Sequence, residues 1–232
     1  MKLTDAGWKL VLVLNDPGPF AKLQSDMECD AHSQIKQDLF VLNHLSGKTN
    51  GYFVEFGASD GKTLSNTWLL EKRFGWQGLL AEPSRHCHDS LRSNRSCRVD
   101  TRCVWKTTGD LIPFHETQDH FLSSPGKTAS PVISTYDVDS VTLSDLLDYH
   151  SSPPHIDYLS VDTEGSELDI MQRFNEDKGF NRYRFNCITI EHNFNLPKRQ
   201  AILSLLTKHG YLNVHSKISD FDDWYVLKRG QP

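Results

Sequence analysis

The stretch YFVEFGASDGKTLSN, residues 52–66, carries an apolar run into a glycine turn and ends in Gly-Lys-Thr, so it is built either to cradle phosphates or to hold a ligand of opposite charge. Spacing decides against phosphate. A P-loop needs four residues between its first glycine and the Gly-Lys-Ser/Thr, whereas Gly57 and Gly61 enclose only Ala58, Ser59 and Asp60. The dinucleotide pattern G-x-G-x-x-G fails because Ser59 and Lys62 stand where its second and third glycines belong. Glu55 at the end of the apolar run and Asp60 inside the turn would repel a polyphosphate, and they suit a ligand that carries positive charge.

Acidic residues recur at the ends of later apolar runs. LLAEPS places Glu82 beside Pro83, where a carboxylate at a strand tip accepts two hydrogen bonds from a ribose diol. VDTEGSE supplies Asp162, Glu164 and Glu167. Ligands of open parallel sheets bind beyond the carboxyl ends of the strands, which makes Asp162 and Glu164 site candidates, while Glu167 in a first helical turn complements the helix dipole. ITIEHNF brings Glu191, His192 and Asn193 to the end of another strand, and a histidine there is placed to take a proton from an attacking hydroxyl. Asp162, Glu191 and His192, with Glu164, are also usable ligands for Mg²⁺ or Mn²⁺. HCH at 86–88 reads as packing. In DFDDWYV, Trp224 reads as core, and one of Asp222 and Asp223 is a candidate for the acceptor pocket.

These residues need a frame. From Ser33, Ile35, Leu39, Leu42 and Leu45 follow helical spacing up to Gly47. Strand-like and helix-like runs then alternate: GYFVEFG, LSNTWLLEKRF, GLLAEPS, HDSLRSN and CRVDTRCVW. VTLSDLLDYH, IDYLSVDTEG, SELDIMQRF, FNCITIEHNF and PKRQAILSLLTKHG repeat the rhythm, and YLNVHS with DWYVLKR forms an antiparallel pair. Such alternation predicts an α/β fold with a mostly parallel sheet. The stretch 107–139 is the least regular: DLIPFHE reads as an extra strand and SSPGKTASP as loop.

A chain of 232 residues, 38% hydrophobic, buries one sizeable core, which predicts one domain over 33–232 behind an extension at 1–32 containing at most a short strand. A net charge of −5 offers no basic field for nucleic acid. Five cysteines, odd in number and without a C-x-x-C pair, argue against a disulfide framework and fit a reducing cytoplasm. The apolar run in WKLVLVLNDPGP is too short for a signal or membrane segment, so the expectation is neither export nor anchoring. Nothing in the sequence indicates the oligomeric state.

S-adenosylmethionine meets the charge requirement, with a sulfonium, an ammonium, a ribose diol and no phosphate. Glu55-x-Gly57-x-x-x-Gly61 resembles the donor turn of Rossmann-like methyltransferases. The order of YFVEFGASDGKTLSNTWLLEKRFGWQGLLAEPS, RCVW, IDYLSVDTEGSELDIM, ITIEHNF and DDWYV resembles the FkbM family of S-adenosylmethionine-dependent methyltransferases over about residues 33–229. The resemblance implies a Rossmann-like class I fold, a seven-stranded sheet whose last strand is antiparallel, with helices on both faces. It implies a donor held by Glu55, Gly57, Ala58, Asp60, Gly61, Glu82, Pro83 and Asp162, with backbone contacts to adenine at Cys103 and Val104, at the end of the third strand. It further implies O-methylation of a sugar or other small natural-product hydroxyl by in-line transfer, with His192, Asp162 and Glu164 meeting the acceptor and a divalent cation as an open possibility. Two rivals stand beside this reading: a nucleotide-dependent phosphotransferase using Gly-Lys-Thr, and a non-catalytic S-adenosylmethionine-binding module.

Overall fold

The structure is a computed structural model that describes residues 30–228. The expected extension, except for residues 30–32, lies outside the described residues, as does Cys29. Strand β1 (Tyr52–Phe56) shows the rule on which the sheet is built. Successive side chains of a strand point to opposite faces. Val54 and Phe56 therefore enter one core cluster, and Phe53 enters the other. β2 (Gln77–Ala81) splits in the same way, with Leu79 on the first face and Leu80 on the second.

β1 pairs in parallel with β2 and with β7 (His155–Val161); β2 pairs with β3 (Arg98–Asp100), and β7 with β8 (Arg184–Glu191). β10 (Asp222–Leu227) lies antiparallel between β8 and β9 (Tyr211–Val214). The order β3-β2-β1-β7-β8-β10-β9 reverses direction between β1 and β7, and the carboxyl ends of those two strands open a crevice there. Helices α1 (Gln37–His44), α2 (Trp68–Phe74) and α3 (His88–Asn94) cover the Phe53 face. α4 (Leu143–Tyr149), α5 (Glu167–Glu176), α6 (Gly179–Arg182) and α7 (Leu196–Lys208) cover the Val54 face. Trp224 lies in the core, its ring stacked on Phe40 at 4.7 Å. Among the described residues no helix is long and apolar enough to cross a membrane.

A second sheet has the order β4 (Cys103–Val104), β6 (Val132–Val141), β5 (Leu111–Thr117). Glu116 anchors it at the tip of β2, accepting from Tyr136 Oη at 2.8 Å, Ser84 Oγ at 3.0 Å and the His86 amide at 3.1 Å. DLIPFHE is thus a strand. Strand β6 escaped the sequence reading because its first four residues are exposed and alternate with nothing buried.

Three boundaries differ from expectation for local reasons. Asp100 turns back on Arg102, accepting from its amide at 2.9 Å and its Nη2 at 2.6 Å, so the expected third strand stops at Asp100. Cys103 and Val104 consequently belong to the small sheet and not to the end of the third strand. The first helix begins at Gln37 because Lys36 is left-handed, φ 71°, and Ser33 bonds the side chain of Asp38. α2 begins at Trp68 because Glu55 holds the preceding turn away from helical geometry, accepting from Ser65 Oγ at 3.1 Å, the Asn66 amide at 2.8 Å and Thr67 Oγ1.

That turn depends on one buried cation. Arg95 donates Nε to Glu71 at 2.7 Å, Nη1 to the Gly61 carbonyl at 3.0 Å and to Ser65 at 3.1 Å, and Nη2 to Thr67 at 2.9 Å, while lying 3.7 Å from Glu55. Burial would raise the Glu71 carboxyl, yet the Arg95 charge lowers it from an ordinary 4.5 to about 2. Its folded value lies below its unfolded one, so this stability is present above the ordinary value and is lost as pH falls toward about 2. Arg95→Met is expected to cost about 3–5 kcal/mol at pH 7 in urea unfolding, because two buried carboxylates lose their counter-charge. A loss below about 1 kcal/mol would mean that the turn is held by something else.

Candidate active site

A cavity of about 230 Å³ lies beyond the carboxyl ends of β1, β2, β4 and β7. Gly57 shapes its floor. At φ +71° it occupies the left-handed region, and a Cβ on it would lie 1.8 Å from the Asp162 carbonyl oxygen. The turn after β1 therefore presses against the end of β7 as only glycine permits. Ala58 and Ser59 follow along the wall, and the Ser59 amide donates to Glu82 Oε2 at 2.7 Å.

Glu82 is buried beside Pro83 in the wall and receives the Ser84 amide on Oε1 at 2.8 Å. Each oxygen has one backbone donor and keeps acceptor capacity toward the cavity. Burial, with repulsion from Glu116 and Glu55, outweighs both amides and pushes this carboxyl up to about 7. Cys103, Val104 and Phe114 form an apolar slot beside it, closed by the short turn His120–Leu122.

The opposite end is acidic. Asp162 and Glu164 line the cavity, and Glu191 stands behind them with its Oε2 buried and without a hydrogen-bond partner. Burial is the main cause for all three; added repulsion from Asp222 and Glu164 raises Asp162 well above its ordinary value, that of Glu167 raises Glu164 to about 7, and that of Asp162 and Glu164 raises Glu191 to about 10. One oxygen from each of the three lies within 4.8 Å of the others. Glu164 is left-handed, φ 56°, in a turn drawn tight by Glu167, whose Oε1 accepts from the amides of Thr163 and Gly165, both at 2.9 Å. Glu167 is thus a buried anchor, with Oε2 bound by Lys198 at 2.6 Å, and contributes more than a dipole effect.

Several expected site residues lie elsewhere. His192 is 1% exposed and does not line the cavity; its Nδ1 accepts from the Phe194 amide at 3.0 Å, and its Nε2 lies 3.9 Å from Asp223. Burial lowers its pKa. The buried ring is therefore not placed to meet a substrate in the cavity, and it stands outside the cluster that brings Asp162, Glu164 and Glu191 together. Glu55 lines the cavity, but its carboxylate is engaged by the 65–67 turn, and its effect on a donor is indirect. Asp60 folds onto its own turn, with Oδ1 accepting from the amides of Lys62 at 2.8 Å and Thr63 at 2.7 Å. Gly61 packs against Leu91 and Arg95, where a Cβ would approach within 2.5 Å and 2.7 Å. Neither Asp60 nor Gly61 lines the cavity. Because Asp60 already occupies the amides of the Gly-Lys-Thr turn, that turn has no free nest for phosphate. Asp222 accepts from Gln37 at 2.9 Å and Asp223 pairs with both Nε and Nη2 of Arg199, so both are structural. His88 bonds the Glu82 carbonyl at 2.9 Å, which makes HCH packing.

Sequence reasoning missed Ser59, Phe114, the 119–123 segment, and Gln34 and Gln37, all of which line the cavity. The period-2 run Tyr136, Val138, Ser140 was the available signal for the hairpin that carries Phe114.

Sheet order, glycine turn and strand-end acids together define a class I methyltransferase fold. The chain belongs to the Methyltransferase FkbM domain family, which it matches over residues 55–212. Among solved structures it is similar to methyltransferase FkbM from Methylobacillus flagellatus KT, at 16% identity and a TM-score of 0.52, covering 97% of this chain and 56% of that one. It is also similar to a putative RNA methyltransferase from Pyrococcus horikoshii, at 9% identity, TM-score 0.46 and coverage of 85% and 83%. A precorrin-6y C5,15-methyltransferase from Geobacter metallireducens GS-15 follows at 11% identity, TM-score 0.43 and coverage of 75% and 70%. At these identities the likeness is one of fold. No curated protein matches the sequence.

The protein is an S-adenosylmethionine-dependent methyltransferase, and its cavity fits that donor: a buried acceptor carboxylate for a diol, an apolar slot for a purine, and acids for a cation. A Glu82 that accepts both hydroxyls of a ribose diol would have to be ionised, while burial raises it to about 7 in the free protein. Affinity for S-adenosylhomocysteine is therefore expected to weaken about tenfold from pH 8 to pH 6. Calorimetry at both pH values checks this; a Glu82→Gln variant should bind weakly with a flat profile, and the same slope in that variant would assign the titration to another group.

Proposed function

We propose that the protein transfers the methyl group to a hydroxyl of a sugar or other small natural product. The observation that carries this reading is the continuity of one cavity from Glu82 to Asp162 and Glu164, which puts a donor-binding wall and a cluster of oxygen acceptors in the same space. The donor supplies a methyl already activated by the sulfonium. What remains for the protein is alignment, for which about 7–11 kcal/mol is available from positioning. Gly57 and Ala58 hold the floor, and Glu82 fixes the ribose end. Asp162 and Glu164 face the acceptor, orient its hydroxyl and draw its proton away.

A small acceptor is favoured over nucleic acid because the net charge is −5 and the cavity lining is acidic. The four described cysteines are all free thiols, which supports a reducing compartment such as the cytoplasm. A domain spanning 33–232 is part of this proposal. The phosphotransferase alternative loses its footing because Asp60 caps the Gly-Lys-Thr turn.

Transfer from methyl-labelled donor to a panel of glycans and polyketide-type alcohols tests the proposal. With the accepted substrate, Glu164→Gln is expected to lower transfer about 10²-fold while S-adenosylhomocysteine binding persists; Lys62→Ala should leave transfer unchanged. A chain that binds donor yet labels no hydroxyl acceptor would support the binding-module reading, and label on nitrogen would overturn the O-methyl assignment.

A further inference from the structure

We propose that Asp162, Glu164 and Glu191 form a divalent-cation site at the acceptor end of the cavity. Their three oxygens lie within 4.8 Å of one another. Ligands on opposite sides of one ion are separated by about twice the bond length, ~4.2 Å for Mg²⁺ and ~4.6–5.2 Å for Ca²⁺, so the three carboxylates reach a common ion with little movement. A set made wholly of carboxylate oxygens suits hard cations such as Mg²⁺, Mn²⁺ and Ca²⁺.

A second observation points the same way. Glu191 is 4% exposed, and its Oε2 has no hydrogen-bond partner. A carboxylate oxygen removed from water without a donor is costly, and the group either keeps a proton, as burial favours for Glu191, or exchanges it for a paired cation or a metal. Nearby side-chain cations are committed elsewhere: Lys198 to Glu167 at 2.6 Å, and Arg199 to Asp223 at 2.7 Å.

The strand ends explain why the three meet. β7 and β8 are parallel neighbours with Val161 opposite Ile190, so Asp162 and Glu191 follow at adjacent tips, and the left-handed turn at Glu164 returns its side chain to them. Three carboxylates leave coordination positions open for oxygens of the acceptor. A vicinal diol or hydroxy-carbonyl group would chelate there, which orients one hydroxyl toward the donor and makes it more acidic. This last consequence rests on the hydroxyl-transfer reading; the cation site itself does not.

Mn²⁺ alone, titrated into the 232-residue chain and followed by electron paramagnetic resonance of the free ion, tests the site. A single Mn²⁺ per chain is expected, competed by Mg²⁺ and held at least about tenfold more weakly by Glu191→Gln and by Glu164→Gln. Circular dichroism and a cooperative thermal transition on the same samples show that each variant is folded, and calorimetry of the wild type with S-adenosylhomocysteine reports on the donor cavity separately. Absence of bound Mn²⁺ in the wild type, or equal binding in both variants, overturns the site even where S-adenosylhomocysteine binds. Failure of S-adenosylhomocysteine binding would count against the donor cavity regardless of Mn²⁺.

Discussion

Too many carboxylates for the available water stand at one end of this sheet, and the way each is neutralised organises both the fold and the cavity. Glu55 and Glu71 are served by Arg95, Glu167 by Lys198, and Asp223 by Arg199. Those acids are structural. Glu82 has two backbone amides and no cation, while Asp162, Glu164 and Glu191 are raised by burial and by neighbouring carboxylates. The second group is what a ligand carrying positive charge and hydroxyl donors would meet. Repulsion that would otherwise destabilise the strand tips is thereby kept where binding relieves it.

The glycine turn joins the two groups. Gly57 allows β1 to touch the end of β7, and the Ser59 amide reaches Glu82 from the same turn. Arg95 fixes the far side of the turn through the Gly61 carbonyl and the side chains of Ser65 and Thr67. One buried guanidinium thus sets the wall opposite the β2 tip, which is why a residue outside the cavity governs its shape. The β5–β6 hairpin, tied to β2 through Glu116, then adds Phe114 to the apolar slot.

The main sheet was legible because β1, β2, β7 and β8 are buried on both faces and read as apolar runs, each followed by an acid or a glycine turn. Gly57, Glu82 and the acids after β7 were legible for the same reason, since position at a strand's carboxyl end depends only on where the run stops. What could not be read was which acids already have partners. Arg95 lies far along the chain from Glu55, and Lys198 from Glu167, so nothing local marks Glu55 as engaged and Glu82 as available. His192 misled because its residue type suits a base at a strand tip, whereas the Phe194 amide and burial turn it inward. β6 stayed hidden because its exposed half carries no buried alternation.

A crystal structure of the complex with S-adenosylhomocysteine tests this division of the acids most directly. The account predicts both ribose hydroxyls on the Glu82 carboxylate and the sulfur facing Asp162 and Glu164, with the contacts of Glu55 to the 65–67 turn unchanged. A ribose bound away from Glu82, or a Glu55 carboxylate released from that turn to contact the ligand, would contradict it.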